Sequence, residues 1–424
     1  MVVGHHRGEV LGACTDCRRL WSAHRAGEID EAGIEAVNGR LAPSVGTCMV
    51  MGTASTMACI TETLGLSLPM SATIPAPHAE RIRLAETSGQ VAARMAAEGG
   101  PLPSALLTPA AFRNAMVVMQ AIGGSTNGVI HLTAIANRTP HPLSLDALDE
   151  IGRKVPVLVD LKPSGAHYME HFHHAGGVPR LMAQLVDLID LDAGTVAGLT
   201  LRDVVANAED VPGQDVIRPR ANPIKPECSM VVLYGNLAPG GAIVKQAAAT
   251  ARLLQHTGRA VVFDSVADMA ARIDDPELDV TADDVLVLRN TGPKGAPGMP
   301  EAGYLPIPKK LGRQGVKDMV RISDARMSGT AFGTIVLHIT PESAIGGPLA
   351  LVRTGDMIRL DVAGRTIDML IDDAEFERRK QMLPAASPQA LPTRGYARLF
   401  QQTVLQADKG CDFDFLVRQP DEIS

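Results

Sequence analysis

Residues 357–371 read Met-Ile-Arg-Leu-Asp-Val-Ala-Gly-Arg-Thr-Ile-Asp-Met-Leu-Ile. Apolar and polar side chains alternate on either side of Ala363-Gly364-Arg365, and a period of two marks a strand buried on one face. Met357–Val362 and Thr366–Ile371 therefore predict a β-hairpin. Moving upstream, β-branched runs recur at Met230–Tyr234, Ala260–Phe263, Val285–Arg289, Met319–Ile322 and Thr334–Thr340. Residues 222–424 thus predict a β-rich, barrel-like domain with helices. Its helical patterns are Asp373–Met382 and Gly395–Leu405, followed by a polar tail.

Upstream of Asn222 the spacing becomes helical. Ser55–Leu64 predicts a helix stopped at Gly65. Pro77 to about Glu98 predicts a second with proline in its first turn, Pro109–Ile122 a third, and Asn127–Ala136 a fourth capped by Ser125 or Thr126. Val157–Asp160, an apolar run after Pro156, predicts a short buried strand. The expected fold class is α/β: an α/β sandwich domain over 1–221, truncated at its start, and the barrel-like domain over 222–424.

The chain has 424 residues, enough for two or three domains with cores of their own. Net charge is −7 and aromatic residues are 3%, so a basic groove with stacking rings is not expected and nucleic acid is excluded as a partner. No apolar run reaches about 18 residues, so no membrane partner is expected. The opening residues carry no signal-peptide pattern. Six cysteines in so long a chain do not make a secreted disulfide framework; the expectation is cytoplasmic.

Three segments carry chemistry. Gly46–Met57 places Cys48 among small residues just ahead of a helix, where free N–H groups favour a thiolate or an anionic iron–sulfur cluster; a buried, inert cysteine fits the same pattern. Gly292–Glu301 is a loop of glycines and prolines that ends in Glu301, a hard oxygen donor suited to Mg²⁺ or else a solvated acid. Arg321–Thr330 is rich in hydroxyls, with Ser328 and Thr330 flanking Gly329. Ser328 is either a capping residue or a base that needs a positive field to ionise.

Two other patterns are weaker. Cys14-Thr15-Asp16-Cys17 has redox or zinc spacing but no second pair. His167, His171 and His174, with Glu170, approach an inverted zinc-protease pattern. The segment sits between Pro163-Ser164-Gly165 and Ala175-Gly176-Gly177, so packing or surface histidines are expected there.

Taken together, the segments resemble the dihydroxy-acid and sugar-acid dehydratase family (IlvD/Edd), from the first residue to about Arg379. The resemblance rests on the Cys48 segment with Thr61–Pro69, on Ala121–Asn127, on Asn222-Pro223-Ile224, on Gly235–Pro239, on Gly298–Glu301 and on Ser323–Thr330. It implies that Cys48 is one cysteine ligand of an Fe–S cluster, a 2Fe–2S rather than a 4Fe–4S type. It implies Glu301 as a Mg²⁺ ligand, Ser328 as the alkoxide base and Thr330 as its neighbouring hydroxyl. Ala72–Pro77 resembles the aldonate branch, which implies a small-molecule sugar-acid substrate and a 2-keto-3-deoxy acid product. The alternatives are a dihydroxy-acid dehydratase of branched-chain amino-acid synthesis, or an inactive truncated remnant. The family pattern starts upstream of Met1, where its remaining cluster cysteines and an Asp-Lys pair lie. A homodimer or homotetramer is also implied.

Overall fold

The computed structural model describes residues 1–330, 332–383 and 392–418. The end of the expected polar tail lies outside them. The chain divides into two compact units. The first comprises 1–24, 29–128 and 150–229; the second comprises 25–28, 129–149 and 230–424. No described helix is long and apolar enough to cross a membrane.

The first unit is mainly helical. Its sheet is a short hairpin of β1 (Gly4–His6) and β2 (Glu9–Leu11). The strand expected at Val157–Asp160 does not form: Val157 and Val159 make only isolated bridges, to Lys225 and Ile217. The run is apolar because it is buried on all sides, packed with Val117, Val118, Phe172 and Leu181, and burial alone does not require a ladder. The helices Thr53–Thr63 and Pro109–Ala121 appear close to their expected bounds, as does Asn127–Asn137, most of which belongs to the second unit. Thr108 caps the second, its hydroxyl accepting from the Ala111 N–H at 3.2 Å. The Ala79–Glu98 helix starts later than expected, because His78 is its N-cap and Pro77 falls outside. Gly124 and Gly128 let the Asn127 turn pack on the Thr53–Thr63 helix; a Cβ at either would come within about 3.1 Å of the Thr56 methyl.

Glu62 ties that helix to the loop after it. Its fully buried carboxylate accepts from the Met70 and Ala72 N–H groups, each at 2.8 Å. Burial pushes its carboxyl up to about 7 even though both bonds favour the charged form.

The second unit holds an eight-stranded sheet in the order β10-β9-β5-β6-β7-β8-β4-β3. The strands are β3 (Val231–Leu233), β4 (Gly241–Val244), β5 (Gln255–Phe263), β6 (Val285–Leu288), β7 (Arg321–Ser323), β8 (Ile335–Thr340), β9 (Met357–Asp361) and β10 (Thr366–Met369). Strands β5 to β8 run parallel, flanked by antiparallel neighbours. The predicted hairpin is β9–β10, in register Leu360–Ile367, with Arg365 at φ 61 in its turn. Tyr234, just past β3, bridges Thr366 at the start of β10. It donates to the Arg365 carbonyl at 2.9 Å and accepts from the Ile367 N–H at 2.8 Å. The two edges of the sheet thus meet, which makes it barrel-like and removes exposed edges there. Strand β4 escaped the sequence reading because Gly240-Gly241 leaves it a run of three β-favouring or neutral side chains.

Gly235, next to the closing bridge, sits at φ 145, and a Cβ there would lie 2.2 Å from the Ile367 carbonyl oxygen. Gly235→Ala should therefore cost at least roughly 1–3 kcal/mol, read from urea melts; unchanged stability would contradict the tight closure. The Glu62 carboxyl gives a second expectation. Between pH 4.5, its ordinary value, and about 7, the native state holds a proton that the unfolded state has lost. Stability should fall as pH rises through that window, by up to about 3 kcal/mol. In Glu62→Gln this part of the slope should vanish when the two melts are compared at pH 4.5 and 7.5.

Candidate active site

Cys48 sits in the first unit in the loop Gly46–Gly52, held by its surroundings at several points. Ser55 donates to the Cys48 and Val50 carbonyls at 3.3 and 3.1 Å. The Met51 N–H donates to the Lys162 carbonyl at 3.0 Å, and the Met169 N–H donates to the Met49 carbonyl at 2.8 Å. The half-buried Cys48 thiol is pushed down to about 6. The main cause is a hydrogen bond from the Cys14 thiol, followed by backbone N–H groups of Val50, Cys14 and Met49, against burial. None of these donors belongs to the Thr53–Thr63 helix expected from sequence; the Cys14 thiol and amide, in the first turn of the Ala13–Ala26 helix, act together with the Val50 and Met49 loop amides to stabilise this thiolate. Cys14 is pushed up as the donor of that pair. Cys17, three residues on, packs instead with Leu20 and Ile34. Cys14 and Cys17 thus take part in different environments and do not act as a zinc pair.

In the second unit, two loops leave the carboxyl ends of adjacent parallel strands. The Gly292–Glu301 loop follows β6 and the Asp324–Thr330 loop follows β7. Ends of this kind are where α/β sheets present functional groups. Asp324 joins the loops at their base: its carboxylate accepts from the Thr291 N–H at 3.0 Å, the Thr291 hydroxyl at 2.9 Å and the Ser343 N–H at 2.9 Å. Arg326 joins them at the tip. Its guanidinium donates to Glu301 Oε1 at 2.8 Å and also to the Met299 carbonyl. Glu301 is exposed, Ser328 half-buried and Thr330 buried. The Thr330 hydroxyl donates to Ser328 Oγ at 3.1 Å.

Two supports of these loops, and one buried histidine beside them, were not found from sequence. Glu342 accepts from the Lys294 N–H at 3.0 Å, the Gly295 N–H at 2.8 Å and the Gln406 amide at 2.7 Å. A Cβ on Gly292 would lie 2.5 Å from its carboxylate, which is the packing reason for glycine there. Lys245, just past β4, is fully buried and donates to the Gly329 carbonyl at 3.3 Å, holding the turn between Ser328 and Thr330. Burial alone pushes its ammonium down to about 7. The only hint in the sequence was a lysine closing the apolar run Gly241–Val244. His338 is buried beside Arg326 and His131, and burial, then their charges, push it down to about 3.

Both proposed cofactor ligands have suitable donor chemistry. Cys48 offers one amide-cradled sulfur, and Glu301 offers one hard carboxylate shared with Arg326. Among the described residues of the first unit, Cys48 stands in no group of three metal donors; among those of the second, neither does Glu301. Each fits as a single member of a larger donor set.

Comparison with known proteins finds matches over almost the whole chain. The N-terminal pattern of dihydroxy-acid/6-phosphogluconate dehydratases matches residues 2–204, and the C-terminal pattern matches residues 215–411. The chain is 50% identical over 424 residues to the L-arabonate dehydratase of Azospirillum brasilense, covering 98% of this chain and 72% of that protein. It is 45% identical over 417 residues to the 6-deoxy-6-sulfo-D-gluconate dehydratase of Pseudomonas putida, covering 97% and 71%. A dihydroxy-acid dehydratase of Acetivibrio thermocellus is 40% identical over 390 residues, covering 92% and 69%. With both family domains matched and the motif residues standing on their two loops, the chain belongs to the dihydroxy-acid/6-phosphogluconate dehydratase family.

Proposed function

We propose that the protein is a hydro-lyase that removes water from a sugar acid, a 2,3-dihydroxy carboxylate, to give a 2-keto-3-deoxy acid. The observation that carries this reading is the hydroxyl pair Thr330–Ser328, 3.1 Å apart on a loop that Arg326 ties to Glu301. The preference for a sugar acid over a branched dihydroxy acid rests on the similarities, 45% and 50% against 40%. A dihydroxy-acid dehydratase is the second reading, favoured by that same 40% relative.

Cys48 would hold an Fe–S cluster, of 2Fe–2S type, as one thiolate ligand. Glu301 would hold Mg²⁺ as one carboxylate ligand. When bound, these groups supply Lewis acidity toward the departing 3-hydroxyl and toward the carboxylate and 2-hydroxyl.

Ser328 takes the proton from Cα onto its Oγ. An ordinary serine hydroxyl does not ionise near neutral pH, and the hydrogen bond from Thr330 lowers the cost of charge on that oxygen. Lys245 fixes the Gly329 carbonyl and so holds the turn between the two hydroxyls. Loss of hydroxide from C3 leaves an enol, which tautomerises to the keto acid. The electron count at carbon closes without an external oxidant. The working form is a cytoplasmic homodimer or homotetramer.

Ser328→Ala should lower kcat by about 10²–10⁴-fold while iron, sulfide and magnesium contents stay unchanged; retained turnover would remove Ser328 from the base role. Cys48→Ser should abolish the visible absorbance of the cluster, and an unaltered spectrum would exclude it as ligand. The substrate class is decided by assaying a panel of aldonates beside 2,3-dihydroxyisovalerate and following the 2-keto acid formed. Preferential turnover of an aldonate is expected, whereas exclusive turnover of the branched acid would favour the second reading.

A further inference from the structure

The histidine-rich segment set aside in the sequence reading has a different arrangement in space. Its helix is short, Met169–His174, and His167 lies outside it. His167 faces Asp215 at 3.4 Å, and the His171 Nδ1 accepts from the Tyr168 N–H at 3.3 Å. Among the described residues, neither belongs to a group of three metal donors. His173 and His174 instead face His78, a residue nearly a hundred positions away in sequence. The ring centroids of His78 and His173 are 6.0 Å apart, and those of His78 and His174 are 5.9 Å apart.

Two carboxylates complete the cluster. Glu80 Oε2 lies 2.9 Å from His173 Nε2, and Glu170 Oε1 lies 3.9 Å from His78 Nε2. In each of two sets, His78–Glu80–His173 and His78–Glu170–His174, three donor atoms lie within 4.8 Å of one another. Two imidazole nitrogens and a carboxylate are borderline donors. They suit Zn²⁺ and its first-row neighbours, and they suit Mg²⁺ or Ca²⁺ poorly.

We propose that His78, Glu80 and His173 form a binding site for a divalent transition metal of the zinc class, with water completing the shell. The His173 set is preferred because its central ligand is already oriented. The His173 ring is buried, and its Nδ1 stands 3.2 Å from the Thr73 hydroxyl. With Nδ1–H donating to Thr73, Nε2 is left to the metal, the outer-shell arrangement that fixes a ligating imidazole. Without metal a single ring proton sits on Nε2 facing Glu80, and Nδ1 accepts from the Thr73 hydroxyl; on binding, the proton shifts to Nδ1 and the ion takes its place at Nε2.

The other two ligands stand on a fixed backbone. His78 caps the Ala79–Glu98 helix, and its N–H donates to the Pro75 carbonyl at 3.0 Å. Arg81 pins the loop before it, donating to the Ser71 carbonyl at 3.0 Å and to the Ile74 carbonyl. A tetrahedral zinc shell needs donor atoms about 3.4 Å apart. Glu80 and His173 are already closer than that. His78 and Glu80, 27% and 48% exposed, have room to close the rest. Glu170 is less available, since its Oε2 accepts from the Val3 N–H at 3.0 Å.

The test is competition between the purified protein and a chromophoric zinc chelator in the presence of excess Mg²⁺. One Zn²⁺ per chain is expected. His78→Ala and Glu80→Gln should each weaken binding about tenfold or more, while His174→Ala and Cys48→Ser should change it by less than about threefold. Substituted Co²⁺ should show visible ligand-field bands without thiolate charge transfer. His173→Ala should also abolish binding; because that ring is buried, its thermal melt is recorded, and the variants at half-buried His78 and exposed Glu80 decide if it does not fold. Failure to bind Zn²⁺ would overturn the site. So would binding indifferent to His78→Ala and Glu80→Gln, a thiolate band lost with Cys48, or a dominant effect of His174→Ala.

Discussion

A buried ion pair underlies the second unit. Arg321 lies on β7 with 1% of its surface exposed, and its guanidinium meets Asp318 at 2.8 Å. The same guanidinium donates to the Tyr304 and Leu305 carbonyls, each at 3.1 Å, and Asp318 accepts from the Thr334 N–H at 3.0 Å. One charged pair therefore fixes the chain before β7, the start of β8 and the segment after Glu301. Breaking such a pair by removing one partner leaves an uncompensated buried charge, at a cost of about 3–5 kcal/mol. Gly333 belongs to the same constraint, since a Cβ there would lie 1.8 Å from the guanidinium.

The loops that carry Glu301, Ser328 and Thr330 are built outward from this base. Each is held by a buried carboxylate that accepts backbone N–H groups: Glu342 for the glycine-rich loop, Asp324 for the junction of both. The irregular backbone of a functional loop leaves its amides without ladder partners, and an acid placed beneath them satisfies several at once. Lys245 does the converse for the Gly329 carbonyl. In the first unit the Cys48 loop follows the same logic, its amides turned toward a sulfur instead of an oxygen.

Much of the fold could be read directly from residue patterns. The hairpin 357–371 was legible because a half-buried strand displays its period, and most other strands of the sheet followed from β-branched runs. Helices were found to within about two residues where a proline or glycine marked the end, as at Pro109 and Gly65. The misses have separate causes. Val157–Asp160 reads as a strand because burial and strand formation select the same side chains. Strand β4 is too short and too glycine-rich to announce itself. Pro77 looked like a first-turn proline, but His78 holds the cap.

For the site, residue types and spacing brought out Cys48, Glu301, Ser328 and Thr330 as the groups with chemistry to offer, since thiols, acids and hydroxyls in glycine-rich loops are visible one-dimensionally. Their supports were not visible. Cys14 beside Cys48, Arg326 on Glu301, Lys245 under Gly329 and His78 against His173 are contacts between segments up to about a hundred residues apart. No local period encodes such a meeting. It is decided when helices and strands pack, because only packing determines which buried donor meets which acceptor and which imidazoles share a face.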